Sequence, residues 1–145
     1  MPAAAAPLRL LAQDAADLTV IAAALQDAVL KVGDIRWEAK TRTLTLALNR
    51  FRWEAGKDRV RSALQLGGVL GVRARGVPRR RSEVMSLLTL TFEPGEAPGG
   101  AVILVFSGGP ELRAEVECLD AVVADVSDPW PARRAPTHAD AEEAR

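Results

Sequence analysis

The sequence predicts an α+β domain. Its fold is a mostly antiparallel curved sheet or small β-barrel of about eight short strands with one N-terminal helix. Three observations lead there. One stretch near the N-terminus repeats its apolar residues at helical spacing. From Ala28 onward the apolar residues recur at every second position, in runs broken by Gly, Pro, Asn and Asp. No strand–helix–strand rhythm follows the helix, so the strands are expected to be joined by turns and to run antiparallel.

The elements follow in order. Leu8, Leu10 and Ala12 recur at every second position, with Arg9 and Gln13 nearby, and mark a short first strand. Asp14 stands where an N-cap belongs, with Asp17 three residues on. Leu18, Ile21, Ala22 and Leu25 then give a helix from Ala15 to about Gln26. The period changes to two at Ala28, Leu30 and Val32, breaks at Gly33-Asp34, and resumes with Ile35 and Trp37. Lys40-Thr41 turns the chain into a strand with Leu44, Leu46 and Leu48 on one face. At Asn49-Arg50 the apolar parity shifts to Phe51 and Trp53, the pattern a β-bulge produces.

Ala55–Asp58 is the next turn, and Val60, Ser62, Leu64 and Leu66 share the inward face of the strand after it. Gly67-Gly68 permits a sharp bend into a strand with Leu70, Val72 and Ala74 inward. Gly76–Ser82 is a loop. Val84–Phe92 is a strand with Leu88, Leu90 and Phe92 inward, and Glu93–Gly100 is rich in turn residues. Ala101–Phe106 is apolar on both faces, as a covered central strand should be. Leu112, Ala114, Val116 and Cys118 share one face of the next strand, which places Cys118 in the core. Residues 119–126 fit a helical stripe and a strand equally well. One globular domain is expected over residues 8–130, with loose tails at 1–7 and 131–145, where apolar content is too low for a packed core.

Charge is sorted along the chain. Residues 50–81 carry ten basic and two acidic side chains, whereas residues 82–145 carry four basic and twelve acidic ones. The zero net charge is a cancellation of these blocks. Either they pair internally, Arg59, Arg61, Arg73 and Arg75 against Glu111, Glu115 and Glu117, or the basic block meets an anionic partner. The surplus on the first reading is the loop Arg79-Arg80-Arg81.

One cysteine excludes an intrachain disulfide framework and a multi-cysteine metal site, and favours a reducing compartment. No apolar run approaches the roughly 20 residues that span a bilayer, and the alanine-rich start lacks the charged flank of a signal peptide. A cytoplasmic location without membrane contact is the expectation. The only histidine, His138, falls in the C-terminal tail, and no phosphate-binding, nucleophile-elbow or metal-protease motif occurs. Neither a catalytic residue nor a metal or other cofactor is expected.

Four separated segments, QDAVLKVGDIRW (Gln26–Trp37), NRFRWE (Asn49–Glu54), SLLTLTFEPGEAPGG (Ser86–Gly100) and ELRAEVECLDA (Glu111–Ala121), stand in an order that resembles an alphaproteobacterial family called domain of unknown function 2948. The resemblance extends over residues 8 to about 138. It implies no activity and supplies no catalytic residues. The chain departs from the family pattern at Ser107, where alanine is usual.

The residues themselves favour a non-catalytic interaction or regulatory domain that binds a protein partner or a second copy of itself. The alternative is a binder of an anionic ligand or nucleic acid through residues 50–81. For that role the candidates are Arg79, Arg80 and Arg81, followed by Arg50 and Arg52, which interleave with Phe51 and Trp53 as single-strand stacking platforms do.

Overall fold

The computed structural model describes residues 7–54 and 58–131. The segments expected as tails, apart from Pro7 and Pro131, lie outside the described residues, as do His138 and the middle of the Ala55–Asp58 turn. Strand β1 (Arg9–Ala12) leads into helix α1 (Ala15–Ala24). Asp14 caps the helix as its sequence position requires: its carboxylate accepts the Asp17 amide at 2.7 Å. Leu18, Ile21 and Leu25 are buried along one side of the helix.

After the helix come β2 (Val29–Lys31), a 3₁₀ turn (Val32–Asp34), β3 (Ile35–Glu38) and β4 (Thr43–Phe51). The glycine in the 3₁₀ turn interrupts what would otherwise be one strand. Next are β5 (Asp58–Leu66) and β6 (Val69–Arg75), joined through Gly68 at φ +62°, a conformation that glycine adopts freely. The chain continues with β7 (Val84–Pro94), β8 (Gly100–Phe106), β9 (Glu111–Val116), β10 (Ala121–Asp125) and the two-residue β11 (Trp130–Pro131). Of the two readings of residues 119–126, the strand is the one observed.

The strands form an open sheet in the order β1-β10-β5-β4-β2-β7-β8-β9-β6, with β3 added to β4 and β11 to β5. Their pairings are antiparallel. The edges β1 and β6 do not meet, so the sheet does not close into a barrel. Helix α1 packs against both β1 and β7. On a flat sheet those strands would lie about 24 Å apart, twice the width of a helix. The sheet therefore curls, so that β1 and β7 both reach the helix. Leucines of β4 and β5, Leu87 and Leu90 of β7, Val102, Leu104 and Phe106 of β8, and Val123 of β10 converge with the helix on one core.

Three expectations about side-chain direction are corrected. The bulge expected at Asn49-Arg50 does not occur. β4 and β5 stay in register from Leu44↔Leu66 to Phe51↔Arg59. Arg50 keeps the inward parity of Leu48, because carboxylates meet it there, as described below. Bulges lie instead at Leu70, where Val69 pairs with Val116 and Gly71 with Glu115, and at Leu88, where Leu87 pairs with Phe106 and Thr89 with Val105. Leu70 is consequently 58% exposed, and Leu88 is half-buried rather than inward. Cys118 is exposed. β9 ends at Val116, the chain bends, and Leu119 takes the buried place that strict alternation assigned to the cysteine.

Candidate functional site

A cleft among the described residues opens where β2 parts from β4. These strands pair at Val29↔Asn49 alone, because the 3₁₀ turn carries the chain outward before β3 rejoins β4. The resulting space is about 430 Å³, within the range of small-molecule sites. Its walls are Val29, Leu30 and Val84, and its polar groups are Lys31, Asp34, Asn49, Arg61 and Ser82. Register places Asn49 opposite Arg61 on the outer face of the sheet. The Arg61 guanidinium donates to the Asn49 side-chain oxygen at 3.1 Å and lies 3.2 Å from the Asp34 carboxylate. Asp34 also accepts the Lys31 amide at 3.2 Å.

Asp34 is thus neutralised within the site by Arg61. Among the described residues, the Lys31 ammonium makes no ion pair, and the Asn49 amide nitrogen and the Ser82 hydroxyl hold no hydrogen-bond partner. The cleft therefore carries one surplus positive charge and three uncommitted donors. That combination suits an anion that is also a hydrogen-bond acceptor.

The loop with Arg79, Arg80 and Arg81 borders this cleft. The Gly33 amide donates to the Arg81 carbonyl at 2.9 Å, and the Val32 amide to the Glu83 carbonyl at 2.9 Å. The Arg81 side chain lies against Gly33 and donates to its carbonyl at 3.3 Å. Arg79 and Arg80 are exposed and make no ion pair among the described residues. Three arginines against the single Glu83 extend the positive field to the mouth of the cleft.

Arg50 and Arg52 are placed differently. Arg50 is fully buried, and its side chain forms two forks. One reaches Asp125 through Nε and Nη2, both at 2.8 Å, and the other reaches Glu54 through Nη1 at 3.0 Å and Nη2 at 2.7 Å. A bond from Nη1 to the Phe51 carbonyl uses the remaining N–H. Asp125 also accepts from the Ser62 hydroxyl at 2.6 Å and the Leu8 amide at 2.8 Å. Arg52 is buried beside Asp58 at 3.2 Å.

This network sets its own ionisation. Arg50's hydrogen bond holds the Glu54 carboxyl below its ordinary range. Burial pushes Asp125 up, but the bonds from Arg50, Ser62 and the Leu8 amide together outweigh it and leave that carboxyl low. Burial likewise works to lower the Arg50 guanidinium, and its two carboxylate partners more than offset this.

Of the pairings anticipated between Arg59, Arg61, Arg73 and Arg75 and Glu111, Glu115 and Glu117, one is present among the described residues, Arg75 with Glu111 at 3.2 Å. β5 has β4 and β10 as its long neighbours, so Arg61 never faces β9. Arg73 stands opposite Arg113, which is itself tied to Glu93 and Glu115. Glu117 pairs with Arg42.

A model of a family described as a protein of unknown function (DUF2948) matches residues 8–138. The chain belongs to this family. No curated protein and no solved structure matches it. For a DUF2948 member, then, the chemistry of its own cleft carries the functional reading. Sequence reasoning singled out the Arg79–Arg81 loop but missed Lys31, Asp34, Asn49 and Ser82, and gave Arg61 a partner on another strand. Among the described residues, no group of three metal-ligating side chains comes together, and no helix is long and apolar enough to cross a membrane.

Proposed function

We propose that this protein is a non-catalytic binding domain whose β2/β4 cleft takes an anionic group, with Arg79, Arg80 and Arg81 drawing the ligand to its mouth. The observation that carries this reading is the adjacency of the arginine loop to a cleft whose Lys31, Asn49 and Ser82 donors are uncommitted. Retention on heparin at low salt tests it. The triple variant Arg79→Ala, Arg80→Ala, Arg81→Ala should lose most retention, while its stability changes by less than about 0.5 kcal/mol, as exposed loop substitutions do. Undiminished retention of the triple variant refutes the reading.

A second reading, a protein partner, is favoured by the exposed Leu70 on edge strand β6, which pairs with no strand but β9 among the described residues. Salt separates the two. Anion binding at exposed cations weakens as salt rises, whereas strand addition over an apolar side chain persists.

A further inference from the structure

We propose that the anionic group taken by the cleft is a carboxylate joined to a short apolar chain, an inference that rests on the anion-binding reading above and names its ligand class. The register sets the groups that would meet this ligand on one continuous piece of the sheet. Val29 lies opposite Asn49 of β4. Lys31, two residues along β2, shares the face of Val29 and stands directly opposite Val84 of β7. One strand spacing of about 4.8 Å separates Val29 from Asn49, and one two-residue step of about 6.6 Å separates it from Lys31. The bond from the Val32 amide to the Glu83 carbonyl keeps Ser82 at the same end of β2. These residues all line the cleft.

Charge and donors select the headgroup. Lys31 and Arg61 bring two positive charges to the walls and Asp34 brings one negative, so the surplus is one. A carboxylate carries one negative charge and two acceptor oxygens, which the Lys31 ammonium, the Asn49 amide and the Ser82 hydroxyl can share. A phosphate monoester carries nearly two charges at pH 7. The second would meet Asp34 without a cation of its own inside the cleft. Arg79, Arg80 and Arg81 do not supply one, since they border the mouth rather than the walls. The apolar walls select the rest of the ligand. Val84 is 38% exposed beside Lys31, and Val29 lies between Lys31 and Asn49 in the register. A hydrated inorganic anion would leave Val84 uncovered, whereas an aliphatic chain next to the carboxylate covers it. The space of about 430 Å³ suits a small acid or the last residue of a peptide.

The test titrates the intact protein at low salt with acetate, butyrate, pentanoate and butyl phosphate, following the Asn49 and Val84 amide signals by heteronuclear NMR. Each methylene that the walls cover should tighten binding about fourfold. Pentanoate should bind more tightly than butyl phosphate, which keeps the same chain and changes the headgroup. Lys31→Gln should weaken acetate binding at least about tenfold, as loss of a charged hydrogen bond does. Val84→Ser should flatten the rise with chain length. N-acetyl-valyl-valine separates the two sources of such a group: tighter binding than pentanoate identifies a peptide C-terminus, and weaker binding a free acid. If butyl phosphate binds as tightly as pentanoate, or if affinity in the wild type does not rise with chain length, the carboxylate inference fails and the anion reading stands. If none of these anions binds, both fail.

Discussion

Replacing Arg50 with methionine should be among the most damaging single changes in this protein. Methionine fills much of the volume, so the effect reports charge rather than cavity. The substitution leaves the Asp125 carboxylate, 4% exposed, with only the Ser62 hydroxyl and the Leu8 amide. Breaking a buried ion pair from one side costs about 3–5 kcal/mol, which for a chain of this length lowers Tm by roughly 10–20 °C. Urea unfolding followed by circular dichroism at pH 7 measures it. Adding Asp125→Leu should recover a good part of the loss, since no unpaired charge then remains. The pH profile supplies a second check. Glu54 and Asp125 both titrate lower in the folded than in the unfolded state. The stability they contribute is therefore complete above their unfolded values, roughly pH 4–4.5, and is lost as pH falls through the folded values. In Arg50→Met that acid limb should be shallower. A single-variant cost below about 1 kcal/mol, or an unchanged acid limb, would refute the view that this arginine is held by its carboxylates.

Two further predictions concern exposure and backbone approach. Cys118 lies in an exposed bend, so a thiol reagent should label the native protein at a rate close to that of the unfolded chain; slow labelling would put the thiol back in the core. A side chain at Gly100 would meet the Glu93 carbonyl and the Phe92 ring, the latter at 2.7 Å. Gly100→Ala should therefore cost about 1–3 kcal/mol by overpacking, read as a lower urea midpoint, and a variant as stable as wild type would show that the β7/β8 hairpin yields easily.

What the sequence revealed and what it hid divide along a physical line. Local features were legible. Asp14 caps the helix because a carboxylate can reach the amide three residues on, and Leu44, Leu46 and Leu48 face the core because side chains alternate along a strand. Properties that depend on which strand lies next to which were not. The pairing of arginines with glutamates requires β5 or β6 to neighbour β9, and that holds for β6 alone. The bulges at Leu70 and Leu88 fall at the apolar doublets Val69-Leu70 and Leu87-Leu88, where either residue of the pair could take the inward place, so alternation alone does not decide which one the ladder skips.

Arg50 shows the same division most sharply. An arginine following Leu44, Leu46 and Leu48 at the same parity reads as a strand changing face, because burying a guanidinium alone is costly. Its partners make the inward position tenable. Glu54 is four residues away, but Asp125 is 75 residues away on β10, two strands over. That network ties β4, β5 and β10 to the Leu8 amide at the entrance to β1. The basic block thus divides among separate tasks. Arg50 and Arg52 are buried against carboxylates, Arg61 holds Asp34 within the cleft wall, and Arg79 and Arg80 remain exposed without ion pairs. A count of charge along the chain merges these roles. The three-dimensional register separates them, and Arg79 and Arg80 lie in the loop that borders the β2/β4 cleft.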